Sequence, residues 1–428
     1  MHPQIQLESL LVHKGIGEKG SKHFTQEQCE TLLPLLLSSE TSIITKACLL
    51  ASTLILEQNS FEKTLIETLE ERILDLDPKL HFLFQDKNDE TEILLGTSLE
   101  KFCQKLIRKE DLSPKEAQIA MDLYFEKDAP DYLKATFLQL ERLKRETLEE
   151  NRTFLESFFD RSERISSPFN FVLDFCNPYD GWNRKPNYSL YTALLLSLCK
   201  IPTSIHGVEK IGPKNGLTVF SLLQNMGQNP LKSLQELKTE IQSKQSYFGY
   251  LDQSVFFPAL YKDKQMRKEM VKRSFIATFE KLLQPIQGKE GNYVLTGYTH
   301  SHYKLELARI LQGKVAGALI IKGDEGSPQL PLSKKSQYTF VNPKGEILES
   351  EVSPEDFGFE FQSEYLEKTQ EITAEFQRKL LLESFEKNDS YTQNCIMYNA
   401  LFYAQTFGFS LTKEDLLAQY PNLKSFVV

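Results

Sequence analysis

The feature that most constrains this chain is a change of texture near Asn170. Before it, roughly 165 residues lack Gly-rich turns, are dense in Leu, Glu and Lys, and place apolar residues at three- and four-residue steps, the spacing of one helix face. Leu32, Leu33, Leu36 and Leu37 form one such stripe; Met121, Leu123, Tyr124 and Phe125 form another. After it, short β-prone runs appear at Phe171–Phe175, Thr203–His206, Tyr293–Thr296, Gly317–Lys322 and Gln337–Val341. They alternate with helical stretches at Tyr188–Cys199, Gly216–Met226, Lys264–Leu283 and His302–Gln312, and helices at Ser363–Glu386 and Ser390–Thr406 close the chain. The pattern predicts a helical N-terminal domain followed by a larger α/β domain with a mostly parallel sheet. Parallel sheets carry binding groups on loops at the carboxyl ends of their strands, so Cys176–Asn187, Ile205–Gly216, Thr296–Tyr303 and Lys322–Pro331 are the loops of interest.

The helical region reads as two copies of one unit. Phe24-Thr-Gln-Glu-Gln-Cys29 and Leu112-Ser-Pro-Lys-Glu-Ala117 both run apolar residue, helix cap, acidic first turn. Thr45-Lys-Ala-Cys-Leu-Leu50 and Leu133-Lys-Ala-Thr-Phe-Leu138 follow at the same offset, with Asp86–Thr97 as a polar link. The expected division is therefore an extra helical region over 1–97, a helical domain over 98–168 and an α/β domain over 169–428.

Composition narrows the functions. With 50 Lys+Arg against 59 Asp+Glu the net charge is −9, which gives no overall attraction to nucleic acid, so such binding would need a local basic face. Hydrophobic residues at 40% and charged ones at 25% are ordinary globular values. No apolar run approaches the ~20 residues of a membrane helix, the start Met1-His-Pro-Gln4 does not resemble a signal peptide, and six scattered cysteines without CxxC read as reduced thiols. The expected location is cytoplasmic, with no membrane partner. Gly15-Ile-Gly-Glu-Lys-Gly20 spells GxGxxG but follows no strand and reads as a turn. His300 and His302 lack a third metal ligand, and no base is tied by spacing to Cys176.

Ile205-His-Gly-Val-Glu-Lys-Ile-Gly-Pro-Lys-Asn-Gly216 is more informative: a strand ends in His-Gly, and a Gly/Pro loop leads into a helix, a natural setting for an anion. The order Pro202-Thr-Ser-Ile-His-Gly207, Gly216 to Met226-Gly227, Phe257-Pro258, Arg267-Lys268-Glu269, Leu282-Leu-Gln-Pro285, Ala318-Leu-Ile-Ile-Lys-Gly323 and Pro354-Glu-Asp-Phe-Gly358 resembles the anthranilate phosphoribosyltransferase family, glycosyltransferase family 3. The resemblance runs from about Glu100 to the C-terminus and implies a small helical domain beside a larger α/β domain, with a ligand in the cleft between them and homodimers formed through the helical region.

The active family uses a GTGGD loop for the diphosphate, a KHGN motif, and an Asp-Glu pair for magnesium. Crowded backbone donors and a divalent cation suit a highly charged leaving group. Here Cys176-Asn-Pro-Tyr-Asp-Gly181 stands in place of the loop, Ile205-His-Gly-Val208 in place of KHGN, and Pro328-Gln329 in place of the acidic pair. Asp324 and Glu325, a few residues upstream, are the only weak metal candidates. Losing each contact would cost on the order of 2–4 kcal/mol in the transition state. No cofactor is expected, and magnesium only if transferase activity survives.

A branch of the family that lacks these motifs and binds nucleic acid is more similar. Tyr179-Asp-Gly-Trp-Asn-Arg-Lys-Pro-Asn187 is similar to its NGARKxAN loop, Lys272–Lys281 to its helix after the conserved arginine, and Lys322-Gly-Asp-Glu-Gly-Ser-Pro328 to its GTEGE segment. The expected ligand is a phosphate-bearing small molecule or single-stranded nucleic acid. Asp180, Gly181, Arg184, Lys185, Asn187, His206, Gly207, Lys214, Arg267, Lys268, Lys272 and Arg273 would line its site, with Trp182 and Tyr179 stacking bases. The alternative is an active transferase moving phosphoribose to anthranilate or another aromatic amine, with Arg267 orienting the acceptor.

Overall fold

Buried glutamates organise the helical half of the computed structural model, which describes residues 2–17, 20–85, 98–243, 246–367, 369–387 and 389–427. The helices are α1 (Pro3–Lys14), α2 (Gln26–Leu37), α3 (Ile43–Ile55), α4 (Ser60–Glu71), α5 (Leu99–Ile107), α6 (Pro114–Tyr124), α7 (Asp131–Lys144) and α8 (Leu148–Arg161). In the first turn of α4, Glu62 accepts the N–H of Asn59 (3.0 Å), the N–H of Phe24 just before α2 (2.9 Å) and the buried Lys14 ammonium (2.6 Å). In the first turn of α8, Glu150 accepts the N–H of Thr147 (2.6 Å), the N–H of Leu112 just before α6 (2.6 Å) and the Lys144 ammonium (2.7 Å). Glu150 stands to Leu112 and Thr147 as Glu62 stands to Phe24 and Asn59, at one constant offset along the chain. Thr25 and Ser113 form equivalent capping boxes. The matching helices α3 and α7 pack on one another, with Cys48 Sγ on the Ala135 carbonyl (3.7 Å) and Gln139 Nε2 donating to Ser52 Oγ (2.9 Å).

The expected domain boundaries shift in two respects: the helical regions expected as 1–97 and 98–168 are one unit, and one later segment joins them. Residues 1–160 form a single compact unit that also includes 259–279, a segment assigned from sequence to the α/β domain. Asp263 carries this segment: Tyr124 Oη donates to its carboxylate (2.6 Å) and Lys134 pairs with it (3.3 Å). Phe275 stacks on Phe154 (4.8 Å) and Phe279 packs edge-on to Phe158 (6.1 Å). The single helix expected over Lys264–Leu283 is broken into short turns at 264–269, 276–279 and 280–282, with Val271 at φ +60°. The polar link expected at Asp86–Thr97 lies outside the described residues, as does part of the turn at Gly15–Gly20.

The second unit, residues 161–258 and 280–428, is built on a seven-stranded sheet. Its strands are β1 (Phe171–Cys176), β2 (Thr203–Gly207), β3 (Phe248–Asp252), β4 (Gly291–Gly297), β5 (Gly317–Ile321), β6 (Ser336–Val341) and β7 (Ile347–Val352). The order is β3-β2-β1-β4-β5-β6-β7, parallel through β5 and antiparallel for β6 and β7. Central strands are buried along nearly their whole length, as a sheet covered on both faces requires. The buried helix α9 (Ser189–Leu198) packs on β2, and α14 (Tyr391–Thr406) packs on α9. Between them in sequence lie α10 (Val219–Asn225), α11 (Leu234–Gln242), α12 (Tyr303–Leu311) and α13 (Ala374–Ser384). The helix expected over Ser363–Glu386 occupies only its second half.

Glu62 gives a test. Burial disfavours its charge, but hydrogen bonds from Lys14, Phe24, His23 and Asn59 outweigh this and hold its carboxyl below the ordinary value of 4.5. Its stabilisation is therefore full above about pH 4.5 and is lost as the pH falls through the lower folded value. Glu62→Gln, which strands the Lys14 charge, should cost about 3 kcal/mol at neutral pH. Urea titrations of the variant should also show a flatter stability profile through the acid window than the wild type.

Candidate functional site

The chain passes from β1 outward to β2 and β3, then returns to the other side of β1 as β4. The sheet order therefore reverses between β1 and β4, and loops leaving the carboxyl ends of strands at such a point form a ligand crevice. Two of the loops here are zipped together. Trp182 N–H donates to the Leu217 carbonyl (3.0 Å), Leu217 N–H to the Trp182 carbonyl (2.8 Å), and Gly216 N–H to the Asp180 carbonyl (2.9 Å). Only glycine fits at this crossing: a Cβ on Gly181 would lie 2.3 Å from the Leu217 carbonyl oxygen, and one on Gly216 2.6 Å from that of Trp182. The backbone donors of Trp182, Gly216 and Leu217 are thus consumed between the loops.

Next to this crossing, three successive N–H groups converge on one carboxylate. Glu325 Oε1 accepts from Asn183 (3.3 Å), Arg184 (2.8 Å) and Lys185 (3.2 Å). Its Oε2 faces Lys214 Nζ (3.1 Å) and Arg184 Nε (3.5 Å). Lys214 also donates to the Gly181 carbonyl (3.0 Å), and Lys185 pairs with Asp324 (3.1 Å). Burial raises the cost of the Glu325 charge, yet the Arg184 N–H, the Lys214 ammonium and the Lys185 N–H hold its carboxyl below the usual range. Chemically this is an anion nest with two cationic side chains.

Beneath the loops lies a buried polar chain. Asp174, inside β1, accepts from Ser204 Oγ (2.5 Å) and Cys176 Sγ (3.3 Å) and faces His206 Nε2 (3.3 Å). The other ring nitrogen of His206 meets Tyr179 Oη at 2.5 Å. Asp174, Cys176 and His206 present ligand atoms within 4.8 Å of one another, the grouping among the described residues with the donor set for a soft divalent metal. All three are buried and bonded to each other or to Tyr179. Burial and Asp174 push the Cys176 thiol up, away from the thiolate that a metal needs.

Residues 100–162 match the family described as "Glycosyl transferase family, helical bundle domain". An anthranilate phosphoribosyltransferase of Petrotoga mobilis is 26% identical over 301 residues, 70% of this chain and 84% of the relative. An uncharacterized protein of Aquifex aeolicus is 28% identical over 315 residues, 72% of this chain and 93% of the relative. Among solved structures, the Saccharomyces cerevisiae anthranilate phosphoribosyltransferase in complex with PRPP and Mg superposes with a TM-score of 0.61 at 16% identity, over 77% of this chain and 94% of that one. The Thermus thermophilus enzyme gives 0.59 at 19% identity, over 76% and 94%. In fold the chain is anthranilate phosphoribosyltransferase-like.

The family resemblance puts the magnesium pair of anthranilate phosphoribosyltransferases at Pro328 and Gln329, and the geometry here has another purpose. Gln329 is buried; its Oε1 accepts the Tyr188 N–H (2.5 Å) and its Nε2 donates to the Pro186 carbonyl (3.2 Å). Tyr403 Oη donates to the Pro328 carbonyl (2.7 Å), and Asn399 holds Leu330 through both its amide atoms. A neutral amide, bonded through both its oxygen and its nitrogen, stands at this position. The upstream candidates Asp324 and Glu325 are already faced by ammonium and guanidinium groups, so the residues present do not fit a divalent cation.

The candidate residues divide by place. Arg184, Lys185 and Lys214 meet around Glu325, and Asp180 and Gly181 belong to the zipped crossing. Asn187 is buried, its N–H on Gln377 Oε1 (3.1 Å) and its own Oδ1 capping Ser189. His206 is buried in the polar chain, and Gly207 ends β2 beside Tyr250. Arg267, Lys268, Lys272 and Arg273 lie on the segment that belongs to the helical unit; Arg267 is buried while Lys268 and Arg273 are exposed. One expectation is corrected: Trp182 is 2% and Tyr179 4% exposed, their rings engaged by the core and by His206, so neither is available to stack a base. Sequence reading missed Asp174, Ser204 and Gln377, and took Gln329 only as the loss of a carboxylate. For Asp174 a signal existed, a lone charge inside the apolar run Phe171–Cys176.

Gln329→Glu, the change that would supply one family carboxylate, should destabilise the fold by about 2–3 kcal/mol, because the new oxygen would face the Pro186 carbonyl in a buried site. Urea unfolding with and without magnesium checks this; no metal-dependent recovery of stability is expected.

Proposed function

We propose that this chain is a diverged, non-transferring relative of anthranilate phosphoribosyltransferases that binds a phosphate-bearing small molecule on the loops after β1, β2 and β5. One observation carries the reading: the N–H groups of residues 183–185, with Lys214 and Arg184, already surround an anion, the Glu325 carboxylate. Such a nest suits phosphate oxygens equally well, since it offers fixed donors and two cations.

Phosphoribosyl transfer needs more than an anion site. A diphosphate leaving group requires further backbone donors and a divalent cation. The donors of Trp182, Gly216 and Leu217 are spent between loops, and the amide of Gln329 is spent on Tyr188 and Pro186. This supports binding without turnover. A small ligand is favoured over single-stranded nucleic acid because Trp182 and Tyr179, on the loop after β1, are buried.

Purified full-length chain, incubated with phosphoribosyl diphosphate, anthranilate and magnesium, should consume no anthranilate by fluorescence. Calorimetric titration with ribose 5-phosphate should give a heat that magnesium does not change and that Lys214→Ala abolishes. Magnesium-dependent loss of anthranilate fluorescence would establish the transferase reading instead, and a salt-sensitive gel shift of single-stranded DNA without ribose phosphate binding would favour nucleic acid.

A further inference from the structure

Glu325 occupies its nest at a conformational cost. The residue sits at φ +51°, in the left-handed region that a side chain disfavours, between Asp324 and Gly326. Its carboxylate is nevertheless only 5% exposed, while Arg184, on the nest's rim, is 72% exposed. A strained backbone thus delivers one acidic side chain into a ring of donors whose outer wall faces solvent. Asp324 next to it leaves one carboxylate oxygen, Oδ2, buried without a hydrogen-bond partner. Both features are costs that the contact with the nest offsets.

We infer that Glu325 is an internal stand-in for the ligand's phosphate: it fills the site in the unliganded chain, and a phosphate-bearing ligand binds by displacing it. This rests on the phosphate-site reading above and adds a gate to it. The exchange needs no covalent bond made or broken. A phosphate dianion replaces a carboxylate on the same N–H groups of residues 183–185 and on Lys214 and Arg184. Displacement also frees Glu325 to leave the left-handed conformation that the nest contact holds. The consequence is weak apparent affinity in the wild type, since every binding event must first open the site.

The test uses the full-length chain and inorganic phosphate as probe, followed by calorimetry in a low-salt, phosphate-free buffer, with circular dichroism to confirm folding. Glu325→Ala should bind phosphate roughly tenfold tighter than wild type or better, since the competing charge-assisted contacts are gone. Glu325→Gln keeps the side chain's volume and loop contacts while removing its charge, and should move the same way by a smaller factor. Adding Lys214→Ala to either variant should abolish the gain. Equal phosphate affinity in wild type and both Glu325 variants, still lost with Lys214→Ala, would overturn the gate while leaving the phosphate site standing. No binding by any of the proteins would remove the site, and the gate with it.

Discussion

The carboxylate of Glu325 is held by three backbone N–H groups, an ammonium and a guanidinium, and the loops around it are arranged by that grip. Charge-assisted hydrogen bonds contribute about 1.5–3 kcal/mol each, against roughly 1–2 kcal/mol for the left-handed backbone that presents the residue. The donors win. In doing so they tie the loop after β5 to the loops after β1 and β2, and they place two cations beside Asp324 and Glu325. The same acids that looked like metal ligands in sequence are neutralised by lysines.

Around this contact buried polar side chains hold the backbone. Gln329 and Gln377 pin the segment 186–188 through buried amides, and Asn399 and Tyr403 of α14 fix the backbone at 328–330. Under the loops, Asp174, Ser204, His206 and Tyr179 satisfy one another. A buried network whose members are mutually bonded rigidifies a site but leaves few groups to meet a substrate. In the helical unit the same economy appears twice, as Glu62 and Glu150 each join the start of their own helix to the approach to an earlier one and to a lysine.

Much of this was legible beforehand. The central strands, the helical first third and the repeated caps at Thr25 and Ser113 were readable because apolar periodicity and capping chemistry are local signals. Strand β3 was missed because Gly249 interrupts its β-prone run, and β7 because Glu349 and Glu351 make it read as a polar loop; it is an edge strand with most residues exposed. The transfer of 259–279 to the helical unit depends on Asp263 meeting Tyr124 and Lys134, contacts far apart in sequence that no local pattern encodes. For the site, Arg184, Lys185 and Lys214 were identified as a group, but their partner was not: Glu325 was read as a metal candidate, and only the three-dimensional pairing shows what it holds. Trp182 and Tyr179 failed as stacking residues for the opposite reason, since an aromatic in a loop gives no hint in sequence of whether it faces inward.

The most direct test is anomalous diffraction from crystals of the full-length chain soaked in parallel with selenate and with manganese. A selenate peak within hydrogen-bonding distance of the Arg184 N–H and Lys214, with Glu325 turned out of the nest and no manganese nearby, is the predicted result. A manganese peak bridging Asp324 and Glu325, with Lys185 and Lys214 displaced, would contradict it.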